Sequence, residues 1–285
     1  MKCTRILVAT LASGEAEFEA GRAAVAGQLG VDLEHAIFEG LPELEAHRAL
    51  FELWNRRRSE FDLLVKVDGD TVLNRTTALA DIADLFRRRP DVTAAQIALH
   101  DYFTDGPLAG LNAFSSRVWF EGVDDPLFCD RVEERGHATT LGVEETAPLA
   151  PIAWHCTAPH FDQAFHFGYR RMLKGQGDIV GRTLAAWRVS GGEGRLAALA
   201  GMRAAYLHPL AATSYADAAF ARACARARAL VRRGASSAFS IEADVQAILD
   251  RRPGIRARRL LLNAWRRAAA ASPAVMRASP PRTRS

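Results

Sequence analysis

Cysteine is sparse in this chain and carries no pairing signal. Cys3, Cys129, Cys156 and Cys224 lie far apart with no C-x-x-C pair, which argues against a zinc-finger spacing or a disulfide framework and fits a reducing compartment. Long apolar runs are also missing. No stretch approaches the ~20 residues of a membrane span, and the N-terminus enters a strand-like run, Ile6-Leu7-Val8, too short for a signal peptide. Prolines are scattered rather than massed, which argues against wholesale disorder. The expectation is a cytoplasmic protein, soluble or peripheral at the inner face of the membrane.

The most informative shortage is of acid in the C-terminal part. From Gly175 to Ser285 nineteen arginines stand against six acidic residues, whereas the first 174 residues hold 18 basic against 27 acidic. The chain is therefore expected to divide into a domain over 1–174, a basic Ala/Arg-rich helical extension over 175–271, and a disordered tail over 272–285. Arg256, Arg258, Arg259, Arg266 and Arg267 flank Leu260, Leu261, Leu262 and Trp265, a basic amphipathic pattern suited to an anionic membrane surface. Solvated helix faces are the plainer reading of the same charges, and nucleic acid is not an expected partner.

Before the composition changes, strand and helix patterns alternate. Residues 5–10 read as a strand, 15–29 as a helix with Phe18, Val25 and Leu29 on one face, and 31–38 as a second strand. Pro42 opens a helix in which Leu44, His47, Phe51 and Trp54 recur at helical spacing. A nearly continuous apolar run over 61–67 then stops at Asp68-Gly69-Asp70, as a buried parallel strand does when it delivers polar residues at its carboxyl end. Thr76 or Thr77 is placed to cap a helix carrying Leu79, Ile82, Leu85 and Phe86, and Thr93 to Leu99 resumes as a strand. This alternation predicts an α/β fold with a mainly parallel sheet flanked by helices. Past residue 160 the pattern turns helical, with Phe161, Phe165, Tyr169 and Leu173 as a core-facing stripe and further segments near 178–190, 193–207, 215–233, 241–251 and 255–270.

The chemistry centres on Asp68-Gly69-Asp70. Two carboxylates separated by glycine can approach one small zone, and glycine allows a bulky anion to come close. Hard oxygen ligands suit Mg²⁺ or Mn²⁺, which can bridge to a diphosphate and neutralise its charge as it leaves.

The run Asp62 to Asp70 resembles the D-x-D strand of the family 2 glycosyltransferases of the GT-A fold, bacterial type, the nucleotide-diphospho-sugar transferases. Asp124-Asp125, followed by Arg131 and Gly136, is similar to that family's E-D-x-x-x-x-x-R-x-x-x-x-G block. Gly110 to Arg117 is like the segment preceding the acidic pair, and Ala46-His47-Arg48 occupies the place of a short polar motif before the D-x-D strand. Asp124 stands where the family has glutamate, His47-Arg48 where it has arginine-asparagine, and the acceptor region between the motifs is short.

The resemblance implies a nucleotide-sugar donor, a saccharide or lipid-linked acceptor, and Mn²⁺ or Mg²⁺ as cofactor. It assigns Asp70 to the metal, Asp68 to the metal or donor ribose, and Asp125 to the general base of an inverting displacement; Asp124 and Asp125 could equally cap a helix opening at Pro126. It gives His155 as third metal ligand, with His160 and His166 as competitors for the role. Donor contacts fall to Thr10, Glu15, Glu39, His47, Lys66 and Gly69 together with Asp68. Helix capping accounts for Thr10 and Glu15 just as simply, and Lys66 could pair with a carboxylate instead of phosphate. Asp68-Gly69-Asp70-Thr71-Val72 also satisfies the nucleophile motif of haloacid-dehalogenase-like phosphatases, with Asp68 as nucleophile. That motif normally closes a first strand, whereas two βα units precede Asp68 here. A non-catalytic nucleotide-sugar-binding module is the remaining alternative.

Overall fold

The computed structural model describes residues 3–122, 129, 134–210, 213–215 and 217–251. They form two compact units that divide between His160 and Phe161.

The first unit opens with β1 (Arg5–Ala12), α1 (Phe18–Ala26), β2 (Asp32–Glu39), α2 (Glu43–Arg57), β3 (Leu63–Asp68), β4 (Thr71–Leu73) and α3 (Ala78–Arg88). It continues with β5 (Val92–Asp101), β6 (Gly106–Ser115), the short pair β7 (Trp119–Phe120) and β8 (Glu134–Arg135), then β9 (Thr139–Leu141) and β10 (Ala153–His155). Eight of these strands make one sheet in the order β2-β1-β3-β6-β5-β10-β4, with β9 beside the start of β5. Only β4 and β6 run against the rest, so the sheet is mixed but mainly parallel, with helices against it.

The alternation of side chains along the strands explains why both faces are covered. Ile6, Val8, Leu63, Val65 and Val67 join Leu79, Ile82 and Phe86 of α3 in one core. Their neighbours Leu7, Ala9 and Leu64 point the other way, onto Leu50, Phe51 and Trp54 of α2. Trp54 is fully buried, and its indole N–H donates to the Val118 carbonyl at 2.8 Å, so its one polar atom is satisfied inside the core.

Local signals placed β1, β2, β3, β5 and α1 to α3, with small corrections at their ends, whereas β4 and β6 to β10 were not anticipated. Helix α1 begins at Phe18 rather than Glu15 and stops before Leu29, which is 62% exposed. Pro42 serves as the N-cap of α2. Thr77 occupies the N-cap of α3 without a side-chain capping bond, its hydroxyl donating instead to Asp81 Oδ2 at 3.5 Å.

The second unit is helical: α4 (Phe161–Leu173), α5 (Gly177–Ser190), α6 (Glu193–Leu207), α7 (Ala218–Val231) and α8 (Ala235–Asp250). The aromatic stripe packs as expected, with Phe165 and Tyr169 fully buried. Helices α4 and α6 meet through glycine: a Cβ on Gly168 would fall 1.9 Å from the Ala198 carbonyl oxygen, and one on Gly201 2.2 Å from that of Phe165. No helix among the described residues is long and apolar enough to cross a membrane. The amphipathic segment 255–270 and the tail 272–285 lie outside the described residues.

Candidate metal centre

Three strands end at one place. After Asp68 closes β3, the Gly69 N–H donates to the Leu11 carbonyl at 2.8 Å, which presses the turn onto the end of β1. A Cβ on Gly69 would lie 2.7 Å from Glu15 Oε2 and 3.0 Å from that carbonyl oxygen. A side chain here would crowd the Glu15 carboxylate and the end of β1, a reason for glycine additional to room for an anion. The chain then turns into β4, which pairs antiparallel with β10 so that Thr71 stands opposite His155. On its other side β10 runs parallel to β5 and sets His155 opposite Asp101. Paired this way, β10 carries His155 between the two acidic strand ends.

Asp101, wholly buried, is the anchor of this arrangement. Its Oδ2 accepts from the Thr104 N–H and hydroxyl, both at 2.7 Å, and its Oδ1 lies 2.6 Å from His155 Nδ1. A carboxylate can only accept, so Nδ1 carries the hydrogen and Nε2 is turned towards Asp70, whose Oδ2 lies 3.3 Å away. Cys156 Sγ stands 3.4 Å from the same Oδ2 and 3.6 Å from His155 Nε2. Asp70, His155 and Cys156 therefore present one carboxylate oxygen, one ring nitrogen and one sulfur within a space of ionic size. A histidine held by a carboxylate through its far nitrogen is the usual support of a metal-ligating imidazole.

The electrostatics follow from the crowding. Burial works to raise the Asp70 carboxyl, but the charge of His155, hydrogen bonds from His155 and Cys156, and the charge of Lys66 outweigh it and hold Asp70 low. Burial likewise opposes charge on Asp101, where the bonds from His155 and Thr104 prevail and lower its pKa. His155 is raised well above the ordinary histidine value: burial disfavours its charge, and Cys156, Asp70 and Asp101 override that. Burial and the Asp70 charge push the Cys156 thiol up. The raised pKa favours a charged His155 ring that lies between the two carboxylates, Nδ1 towards Asp101 and Nε2 towards Asp70. A divalent cation facing Asp70, His155 Nε2 and Cys156 would take the place of the Nε2 proton.

The other candidate residues are distributed around this cluster or away from it. The Asp68 carboxylate, 46% exposed, accepts from the nearly buried Lys66 ammonium and is not one of the three clustered ligands. Glu15 Oε2 accepts from the Ser13 N–H at 2.6 Å; burial raises its pKa against that bond, and Asp70 and Asp68 add to the rise. Thr10 bonds His35 Nε2 at 2.8 Å across the β1–β2 pair, and Glu39 is exposed at the end of β2. His47 is buried in α2, its Nδ1 donating to the Glu43 carbonyl at 2.8 Å, in a second cluster with Glu43 and Cys129. His160 bonds the Gly14 carbonyl at 3.1 Å, and His166 packs on Tyr215 and Phe220, so neither joins the Asp70 cluster. Asp124 and Asp125 lie outside the described residues.

Asp101 and Cys156 were not picked out from the sequence. The signal for Asp101 was present, since it closes an apolar strand as Asp68 does, but its partner lies 54 residues away. Cys156 adjoins His155 in sequence, and nothing in cysteine spacing marks it.

No protein-family pattern and no curated protein matches the chain. Among solved structures, the mannosyltransferase PcManGT from Pyrobaculum calidifontis, in complex with GDP-Man and Mn²⁺, is similar over 87% of this chain and 86% of its own. The TM-score is 0.40 and the identity 14%, a likeness too slight to assign family or activity.

Proposed function

We propose that this chain is a metal-dependent glycosyltransferase, moving a sugar from a nucleoside-diphosphate-sugar donor to an acceptor hydroxyl. The observation that carries the reading is the convergence of Asp70 and His155, the latter oriented by buried Asp101, at the carboxyl ends of parallel strands. Open α/β sheets bind ligands at that edge. Asp70 and His155 offer an oxygen and a nitrogen to a divalent cation, in this reading Mn²⁺ or Mg²⁺, which when bound would supply the positive charge that stabilises a departing nucleoside diphosphate.

The chain's own residues have distinct tasks in this reading. Asp101 holds the His155 ring by its Nδ1 hydrogen, and Asp70 and His155 face the cation. Lys66 restrains Asp68, leaving that half-exposed carboxylate to accept from a donor ribose hydroxyl. Thr10 inside β1, Glu15 beyond its end and Glu39 at the end of β2 border the space for the nucleotide, with Gly69 forming the floor of the turn; His47 stands further back, inside α2. Asp125 serves as the base that takes the acceptor proton in an inverting displacement. The acceptor is a saccharide or a lipid-linked saccharide, and the basic segment 255–270 holds the protein at an anionic membrane surface.

The test is a thermal-shift screen of nucleoside diphosphates with Mn²⁺ and Mg²⁺, followed by turnover of the corresponding nucleotide sugars. A ligand that binds only the native state raises its melting temperature. Stabilisation that needs both nucleotide and cation is expected. No shift with any pair, or turnover of simple phosphomonoesters instead, would remove the assignment.

A further inference from the structure

Besides Asp70 and His155, the same cluster presents a sulfur whose position has chemical meaning. Asp70 Oδ2, His155 Nε2 and Cys156 Sγ form a triangle with sides of 3.3, 3.4 and 3.6 Å. A four-coordinate ion bound at about 2.0 Å to oxygen and nitrogen and about 2.3 Å to sulfur separates its ligands by about 3.3–3.6 Å at tetrahedral angles. An octahedral Mg²⁺ with bonds of about 2.0–2.1 Å separates adjacent ligands by only about 2.9 Å. The triangle has the tetrahedral size.

The backbone holds the sulfur there deliberately. Cys156 adopts φ +55, a left-handed conformation uncommon for a residue with a Cβ, and its N–H donates to the Asp70 carbonyl at 2.9 Å. That bond ties the residue to the main chain of the residue whose carboxylate its sulfur faces. Three protein ligands with one position left over is also the arrangement of catalytic rather than structural sites.

We propose that Cys156 is a third ligand of the cation at Asp70 and His155, so that the site takes thiophilic tetrahedral ions such as Zn²⁺ or Co²⁺ in preference to Mg²⁺. This rests on the reading that Asp70 and His155 hold a cation. On binding, the Cys156 sulfur–hydrogen bond and the His155 Nε2–hydrogen bond would both be exchanged for bonds to the cation, and both protons would pass to solvent. Soft thiolate favours borderline ions over hard ones.

The test is Co²⁺ titration of the cation-free full chain followed by absorption spectroscopy, repeated in Cys156→Ser and in Cys129→Ser, the latter removing the cysteine of the other cluster. Intense tetrahedral cobalt bands with a thiolate charge-transfer band are expected in wild type and in Cys129→Ser. In Cys156→Ser the charge-transfer band should vanish, and the Zn²⁺ to Mg²⁺ affinity ratio should fall at least about tenfold. Cobalt binding whose charge-transfer band is missing in wild type, or survives Cys156→Ser, overturns the Cys156 assignment and leaves the cation reading standing. Failure of wild type to bind cobalt, zinc, manganese or magnesium overturns both. Should Cys156→Ser fail to fold, X-ray absorption of Zn²⁺-loaded Cys129→Ser decides the matter: a sulfur at about 2.3 Å supports the proposal, and a shell of oxygen and nitrogen alone overturns it.

Discussion

The two units of this chain solve the same burial problem in different ways. In the first, branched and aromatic side chains fill both faces of a sheet, and the strands run out at a cluster of buried titratable groups. In the second, Phe165, Tyr169 and Phe220 pack together in the core, and α4 and α6 approach through Gly168 and Gly201, placed where a single extra carbon would strike a carbonyl of the facing helix. The helical unit joins its elements by exposed or half-exposed ion pairs such as Arg203–Asp244, Arg188–Glu242 and Arg228–Asp162, pairs of the kind that contribute little to stability. The difference teaches where ligand chemistry can arise. A helix satisfies its own backbone, whereas strand ends deliver side chains and unpaired backbone to one edge, and there a charge can be buried with partners in place.

The sharpest way to break this comparison is to remove charge from the strand edge. Asp70→Asn should lower nucleotide-sugar turnover about a hundredfold or more while leaving the fold intact by circular dichroism. Retention of full activity would deprive the edge of its special status. Next in size is an extra carbon in the helical unit. Gly168→Ala should cost about 2–3 kcal/mol or more, because the obstacle is backbone and cannot rotate away; denaturant unfolding measures it, and a change near zero would mean the helices tolerate separation.

A smaller effect is expected one step back from the ligands. Asp101→Asn keeps the size of the side chain but can present an amide N–H to His155 Nδ1, so cation affinity by calorimetry should fall about 10- to 100-fold. An unchanged affinity would reduce Asp101 to a packing role.

The smallest effect is on the pH dependence of the cation-free protein. Asp70 and Asp101 are lowered, so their contribution is present above the usual carboxylate value of about 4 and fades as pH falls through their depressed values. His155 is raised, so its contribution is complete below about 6.5 and is lost as pH rises through its elevated value. Both are present together between about pH 4 and 6.5. The melting temperature of chelated protein should therefore decline on the alkaline side, and His155→Gln should flatten that limb. Parallel alkaline profiles for the two proteins would refute the charged His155 ring between the carboxylates.

Much of this edge was readable without coordinates. The abrupt end of an apolar run at Asp68-Gly69-Asp70 marked it, because a strand buried on both faces has few other ways to finish. Pairing of Lys66 with a carboxylate was one of its two readings, and the structure supplies the partner, Asp68, two residues away. The partner of Asp101 was not readable: the residue closes an apolar strand, but only the pairing of β10 against β5 makes it the neighbour of His155.

What the sequence by itself determined is the period of each segment. Apolar alternation and helical recurrence are local properties, and they marked β1, β2, β3 and β5, the helices and the change to a helical pattern after residue 160, but not β6 or β10, which complete the sheet. Tertiary structure alone decided which polar residues meet. Asp70, Asp101 and His155 lie 31 and 54 residues apart along the chain, and a contact across such distances depends on sheet order and register, which are set by the packing of the whole unit.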